Sequence, residues 1–124
     1  MGVYNMVLTT PSEVKNWLYS FRPHEKDILL HIRHYEENKP NFGAPYSNKQ
    51  IANLQYELLI LHRDMDNILS HIPKNIRPIL TTRYVRRIGW DYINLYTYYS
   101  RRQAIRLHNK ALKMLIGIEV GFTL

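Results

Sequence analysis

The strongest constraint on the fold is a run of apolar residues at alternating three- and four-residue spacing in the middle of the chain. We call this run the heptad seam; its members are Ile51, Leu54, Leu58, Leu61, Met65, Ile68 and Ile72. The spacing predicts a long helix, capped by Ser47 and ended by Pro73, that packs against another helix at a shallow angle. Leu59, Ile60 and Leu69 widen the apolar face, which favours packing inside one bundle. Homodimerisation through the seam is an equally open alternative.

The residues before the seam predict two shorter helices. Thr10 is a suitable N-cap, with Glu13 three residues later to complete the cap. Pro23 is expected to end this first helix, because proline lacks the N–H that a helix interior needs. A second helix is expected over residues 24–37. Residues 38–46 contain two prolines and a glycine and predict a loop.

The positive charge of the chain is concentrated in its last third. Residues 77–115 contain nine basic residues and one acidic residue, whereas residues 1–76 contain eight of each, and the whole chain of 124 residues has a net charge of +7. A basic block confined to one segment predicts a polyanionic partner, of which nucleic acid is the commonest. A solvated face that only aids solubility is the alternative.

The basic third predicts three helical segments. The first ends at Gly89, the second begins at Trp90 and covers about two turns, and the third follows a turn at residues 97–99 and is capped by Ser100. The third should run to about residue 115 and have two distinct sides. Its expected buried side consists of Ala104, Leu107, His108, Ala111, Leu112 and Leu115. Its expected exposed side consists of Arg101, Arg102, Gln103, Arg106, Asn109, Lys110 and Lys113.

A short helix, a tight turn and a longer helix with an Arg/Gln/Asn face are typical of a helix-turn-helix. Arginine can bond the edge of guanine and glutamine that of adenine in the major groove. If about six of these cations met phosphates, affinity would fall by roughly three decades between about 50 and 200 mM salt.

Two segments carry a resemblance to a known family. RYVRRIGWDYI (83–93) and SRRQAIRLHNKAL (100–112) resemble the DNA-binding helices of sigma-factor region 4, in particular those of small phage transcriptional regulators of the ArpU and RinA type. The resemblance covers about residues 77–116. It implies that the helix after Ser100 is the recognition helix. The DNA contacts that it implies are Arg101, Arg102, Gln103, Arg106 and Lys110.

The turn departs from that pattern at three positions. Asn94, Thr97 and Tyr98 stand where a small residue, a leucine and a glycine are usual. A tyrosine with positive φ is strained, so we expect a distorted turn. We expect Arg101, Arg102, Gln103 and Arg106 to read bases. The expected phosphate contacts are Arg83, Arg86, Arg87, Lys110 and Lys113.

The sequence offers little for catalysis, and we expect neither an enzyme nor a cofactor. There is no cysteine, no glycine-rich phosphate loop and no His-Glu-x-x-His, and the spacing of His62 and Asp66 supplies no third metal ligand. Asp64 is expected on a solvated helix face and His108 as a hydrogen-bonded interior residue. The five tyrosines between 84 and 99 are expected to be half-buried, and residues 117–124 either dock on the body or fray.

The sequence therefore predicts an all-α protein of the host-cell cytoplasm or nucleoid. Residues 1–75 form an N-terminal helical part for dimerisation or partner binding, and residues 76–124 form a DNA-binding helix-turn-helix with a short tail. The predicted function is sequence-specific double-stranded DNA binding in transcription control of a phage or mobile element. A host protein such as RNA polymerase or a defence complex is a further expected partner. One alternative is a mobile-element antagonist of the anti-CRISPR type that binds a host protein or nucleoprotein; another is a small-terminase-like DNA-packaging subunit.

Overall fold

Two long antiparallel helices dominate the fold, and the basic third of the chain packs against them. The computed structural model describes residues 3–123. Its elements, in chain order, are β1 (Val3–Val7), α1 (Pro11–Glu37), α2 (Lys39–Phe42), α3 (Ala44–Ser70), α4 (Arg77–Leu80), a π-helical turn (Thr81–Val85), a 3₁₀ turn (Trp90–Tyr92), α5 (Ile93–Tyr96), α6 (Arg101–Met114) and β2 (Glu119–Thr123). The predominantly helical fold that the sequence predicts is confirmed, with a two-stranded sheet added.

Helix α1 continues through Pro23, so the prediction of two shorter helices is wrong. Its start is as expected: the hydroxyl of Thr10 accepts a hydrogen bond from the backbone N–H of Glu13 at 3.1 Å. Proline at position 23 leaves the carbonyl of Tyr19 without its helical donor. The guanidinium of Arg87 donates to that oxygen at 3.1 Å. A donor 68 residues away in sequence therefore replaces the missing helical one.

The heptad seam packs against α1 within the same chain. Because α1 runs through Pro23, it has 27 residues, the same length as α3. Across the pair, Nε2 of His24 lies 3.1 Å from a carboxylate oxygen of Glu57, and Nε2 of His62 lies 2.6 Å from one of Glu25. The buried residues of the heptad seam are Ile51, Leu61, Met65, Ile68 and Ile72. These five side chains are therefore buried within one chain, whereas Leu54 and Leu58 are partly buried, and homodimerisation through the seam stays a prediction.

The start of α3 also differs from the prediction. Ser47 is not its cap, because the helix begins at Ala44 and carries Pro45 in its first turn, where a missing N–H costs nothing. Ser47 is instead fully buried, and its hydroxyl has no hydrogen-bond partner among residues 3–123. The expected loop at 38–46 is largely helical, since it contains α2 and the first residues of α3.

The C-terminal tail docks on the body as a strand. β2 pairs antiparallel with β1, in a register that runs from Val3 opposite Thr123 to Val7 opposite Glu119. The sequence leaves the docking of the tail open and does not predict β1. Asp64 of α3 is 4% exposed and accepts a hydrogen bond from the backbone N–H of Gly121 at 2.7 Å. The expectation of a solvated Asp64 is therefore wrong, because the sheet covers this side of α3.

A single cluster of buried side chains joins the N-terminal and C-terminal parts. It includes Leu8 before α1, Ile68 of α3, Tyr84 of the π-helical turn, Ile93 of α5 and Leu115 after α6. The basic third is thereby seated on the long hairpin through apolar contacts. The division into parts at residue 76 stays a prediction. Within residues 3–123, no helix combines the length and the apolar character needed to cross a lipid bilayer.

Candidate nucleic-acid interface

Ser100 caps helix α6, as the sequence predicts, and forms a capping box with Gln103. The Ser100 hydroxyl accepts from the backbone N–H of Gln103 at 3.2 Å, and the side-chain oxygen of Gln103 accepts from the Ser100 N–H at 3.3 Å. This reciprocal pair satisfies two backbone donors and fixes the first turn of the helix. It also engages the side chain of Gln103, which is predicted to read a base.

One side of α6 is buried in the body of the protein, as predicted. The buried side chains are Ala104, His108, Ala111 and Leu112, and Leu115 follows directly after the helix. Leu107, the remaining residue of the predicted buried side, is partly buried and packs against the same core. The rotation of α6 about its own axis is therefore fixed by packing.

The opposite side of α6 presents cations to solvent, and four of them form a row. The α6 row consists of Arg102, Arg106, Lys110 and Lys113, all exposed. At about 100° per residue they lie within roughly 80° of arc and span about 16 Å along the axis. Arg101 is turned to one side, where its Nε lies 3.2 Å from a carboxylate oxygen of Asp91.

The α6 row has no acidic side chain within its own helix. Like charges three or four residues apart destabilise a helix by about 0.2–0.5 kcal/mol per pair. A face that serves solubility alone normally mixes both signs. A bound polyanion would remove this repulsion, so the row favours an anionic partner.

The segment before α6 consists of the 3₁₀ turn and α5, which together span Trp90 to Tyr96. The chain leaves α5 through Thr97, which has an extended backbone with φ of −134°. The Thr97 hydroxyl donates to the Ile93 carbonyl at 3.0 Å and accepts from the Tyr99 N–H at 3.3 Å. Among the described non-glycine residues, positive φ occurs only at Arg87. The expected strain at Tyr98 is therefore wrong, because this turn does not use a left-handed residue.

His108 anchors α6 to the π-helical turn from the interior, as predicted. Its ring stacks on Tyr84 with centroids 5.5 Å apart and meets the Trp90 ring edge-on at 4.9 Å. Nε2 hydrogen-bonds the Tyr84 hydroxyl, and Nδ1 lies 3.0 Å from the side-chain oxygen of Asn109. Because that oxygen can only accept, Nδ1 carries the proton and the tyrosine donates to Nε2.

Burial lowers the pKa of His108, and the positive charges of Lys15 and Arg83 act in the same direction, while the bond to Asn109 opposes them. Burial also raises the pKa of Tyr84 to about 12, despite the opposing charge of Arg83. Both rings are therefore held neutral at physiological pH, where the pair forms an interior contact.

The three arginines predicted to contact phosphates before α6 differ in their surroundings. The Arg83 guanidinium lies 5.1 Å from the ring centroid of Tyr19 and 5.4 Å from that of Trp90, and its Nε is buried without a partner. Arg87 bonds the Tyr19 carbonyl. Arg86 is exposed and makes no side-chain hydrogen bond within the described part of the chain, and its guanidinium lies 4.6 Å from the ring centroid of Tyr96.

The tyrosines of this region are more exposed than expected. Tyr84 is buried and Tyr99 is half-buried, whereas Tyr92, Tyr96 and Tyr98 are exposed. The prediction of half-buried tyrosines is wrong for these three, because this segment is packed against the core through Ile93.

The basic surface also includes cations that were not predicted from the sequence. Arg22 and Lys26 of α1 lie beside Arg86 and Arg87 around one hollow. The sequence signal for their inclusion is the four-residue spacing of Arg22 and Lys26, which places both on one face of a helix. This signal was not usable because a helix break was expected at Pro23, between the two residues.

Within residues 3–123, no three histidine or carboxylate side chains are grouped so that they could hold a metal ion. No protein-family model, curated protein or solved structure matches this chain. The similarity to sigma-factor region 4 therefore rests on the residues quoted above, and it stays a prediction.

Proposed function

We propose that this protein binds double-stranded DNA sequence-specifically through α6 and acts in transcription control of a phage or mobile element. The observation that carries the proposal is the α6 row, a line of cations that takes part in no ion pair within residues 3–123, on a capped helix whose other side is packed into the core. An exposed helix of this kind fits the major groove of DNA.

The roles of the side chains follow from their positions on the helix. Arg102 and Arg106 lie one turn apart near the N-terminal end, where a recognition helix meets base edges. Lys110 and Lys113 lie further along and suit phosphate contacts. Arg101 would first exchange its contact with Asp91 for one with DNA.

The α6 row sets the expected salt dependence. Phosphate contacts by Lys110 and Lys113 alone would give a slope of log affinity against log salt of about −1.8, which is a loss of about one decade between roughly 50 and 200 mM salt. This is weaker than the sequence-based value, since only the two lysines of the α6 row are counted as phosphate contacts.

The test is selection of bound duplexes from a random DNA pool at about 150 mM salt, followed by affinity measurements on the enriched sequence. We expect a consensus sequence. Arg102→Ala or Arg106→Ala should relax the preference at one base position and reduce affinity by about ten- to a hundredfold.

A matched control removes the same charge elsewhere. Arg33 is exposed on α1 and pairs only with Glu37 of its own helix, so Arg33→Ala should leave the consensus unchanged. Recovery of unenriched DNA by the native protein would contradict sequence-specific binding.

A second candidate function is the antagonist that binds a host protein or nucleoprotein. The observation in its favour is a group of exposed apolar and aromatic side chains just before α6, namely Tyr92, Leu95, Tyr96 and Tyr98. Tyrosine is enriched in protein interfaces. This function requires a stable complex whose formation Tyr98→Ala and Leu95→Ala weaken and Arg106→Ala does not.

A further inference from the structure

We infer that the concave surface around Arg86 is a second anion site, separate from the α6 row, that binds phosphate groups. We call it the Arg86 groove. It consists of a hollow of about 740 Å³ and a second one of about 470 Å³, and Arg86 lines both. Its cations are Arg22, Lys26, Lys74, Arg77, Arg86 and Arg87.

The fold brings these charges together from three separate segments. Arg22 and Lys26 flank Pro23 on α1, so they lie on one face only because the helix continues through the proline. Arg86 and Arg87 follow the π-helical turn, and the bond from Arg87 to the Tyr19 carbonyl holds this corner against α1. π-helical turns occur frequently at functional sites.

The positive charge of the groove is largely uncompensated. No carboxylate is among the described residues that line the two hollows, and Glu25, which is bonded to Arg22, is 9% exposed and also bonded to Nε2 of His62. In the described part of the chain, Lys26, Lys74 and Arg86 take part in no ion pair. Concave surfaces lined by one sign of charge concentrate the field and attract counter-ions.

Phosphate fits this groove better than an isolated carboxylate does. Arginine presents a planar fork of donors that matches phosphate oxygens. The guanidinium of Arg86 is held over the Tyr96 ring, so less side-chain freedom is lost on binding. The side chain of Thr81, a hydroxyl donor, also lines the second hollow.

Two sources could supply these phosphates. One is the backbone of DNA held by α6, and this possibility rests on the proposed function. The other is a free polyphosphate compound, which needs no duplex. The experiment therefore measures calorimetric binding of tripolyphosphate and, separately, the salt dependence of binding to a random-sequence duplex.

The decisive variant is Lys26→Gln/Lys74→Gln. Both side chains lack ion pairs within residues 3–123, so their loss removes charge from the groove without removing a salt bridge. The matched control is Lys39→Gln/Lys49→Gln, which removes two lysine charges elsewhere. Arg86→Gln is a second groove variant, and circular dichroism verifies the fold of each protein.

If the source is a free polyphosphate, tripolyphosphate binds the native protein and the groove variants lose about tenfold in affinity, whereas the control does not. If the source is the DNA backbone, the double groove variant lowers the salt slope of duplex binding by about 2, whereas the control leaves it unchanged.

Groove variants that match the control in both measurements would overturn the inference. So would equal binding of poly-glutamate and tripolyphosphate at equal charge, because the groove would then not distinguish phosphate from carboxylate. Failure of the proposed function has a different signature: Arg102→Gln/Arg106→Gln would leave duplex binding unchanged, while the tripolyphosphate result would still report on the groove.

Discussion

Replacing Arg87 with alanine should weaken the attachment of the basic third to α1. The Arg87 guanidinium donates to the carbonyl that Pro23 leaves without a helical partner, and it also lies 5.2 Å from the ring centroid of Tyr19. Alanine removes both contacts and keeps the side chain's Cβ. The backbone strain at φ of 60° is therefore the same in both proteins.

The expected cost is about 1.5–2 kcal/mol in the free energy of unfolding. A charged hydrogen bond at this exposed position should contribute about 1 kcal/mol, which is below the range for buried ones. The cation–π contact adds about 0.5–1 kcal/mol. With an unfolding entropy of about 2.1 cal/mol/K per residue, the melting temperature should fall by about 6–8 °C.

A double-mutant cycle with Pro23→Ala isolates the physical reason. Alanine at position 23 supplies the N–H that proline lacks, so the Tyr19 carbonyl regains its helical donor. Arg87→Ala should then cost about 0.5–1 kcal/mol less than it does in the native protein, as measured by urea unfolding. The control is Arg86→Ala, whose guanidinium has no hydrogen bond to α1 and whose effect should add independently to that of Pro23→Ala.

Additivity of Pro23→Ala and Arg87→Ala within about 0.3 kcal/mol would refute the reasoning. It would mean that water serves the Tyr19 carbonyl as well as Arg87 does. The proline would then be accommodated in α1 without help from the basic third.

Two further predictions concern α6. Gln103→Glu keeps the capping box but places a negative charge at the DNA-facing end of α6, so we expect unchanged stability with at least tenfold weaker duplex binding. Gln103→Ala removes the box and should cost about 0.5–1 kcal/mol in the free energy of unfolding. Equal effects of the two variants on stability would argue against the box. The lowered pKa of His108 means that below about pH 6.5 the unfolded chain takes up a proton that the folded chain resists, so stability falls as the pH drops. NMR titration of the ring should give a midpoint below about 6.5, and His108→Asn should flatten the pH dependence of urea unfolding between about pH 7 and 5; a midpoint at or above 6.5 would contradict this.

Local sequence signals predicted those features whose causes lie within a few residues of one another. The cap at Ser100 and the two sides of α6 follow from spacing within one helix, as does the buried stripe of α3. The sequence places the start of α3 at Ser47, whereas the helix begins at Ala44. Both a serine N-cap and a proline in the first turn are good helix-start signals, and the structure uses Pro45.

Features that depend on distant parts of the chain could not be predicted in this way. The continuation of α1 through Pro23 depends on Arg87, and the burial of Asp64 depends on the strand at Gly121.

The sequence by itself determined that a basic, capped, two-sided helix stands near the C-terminus, because helix periodicity and charge are local properties. The tertiary structure alone decided which cations remain free. Packing encloses Arg83 among aromatic rings and ties Arg87 to α1, and it leaves Arg86 and the α6 row exposed. The physical reason is that a guanidinium can donate hydrogen bonds to an anion or to an internal carbonyl, and only the folded arrangement determines which of these lies within its reach.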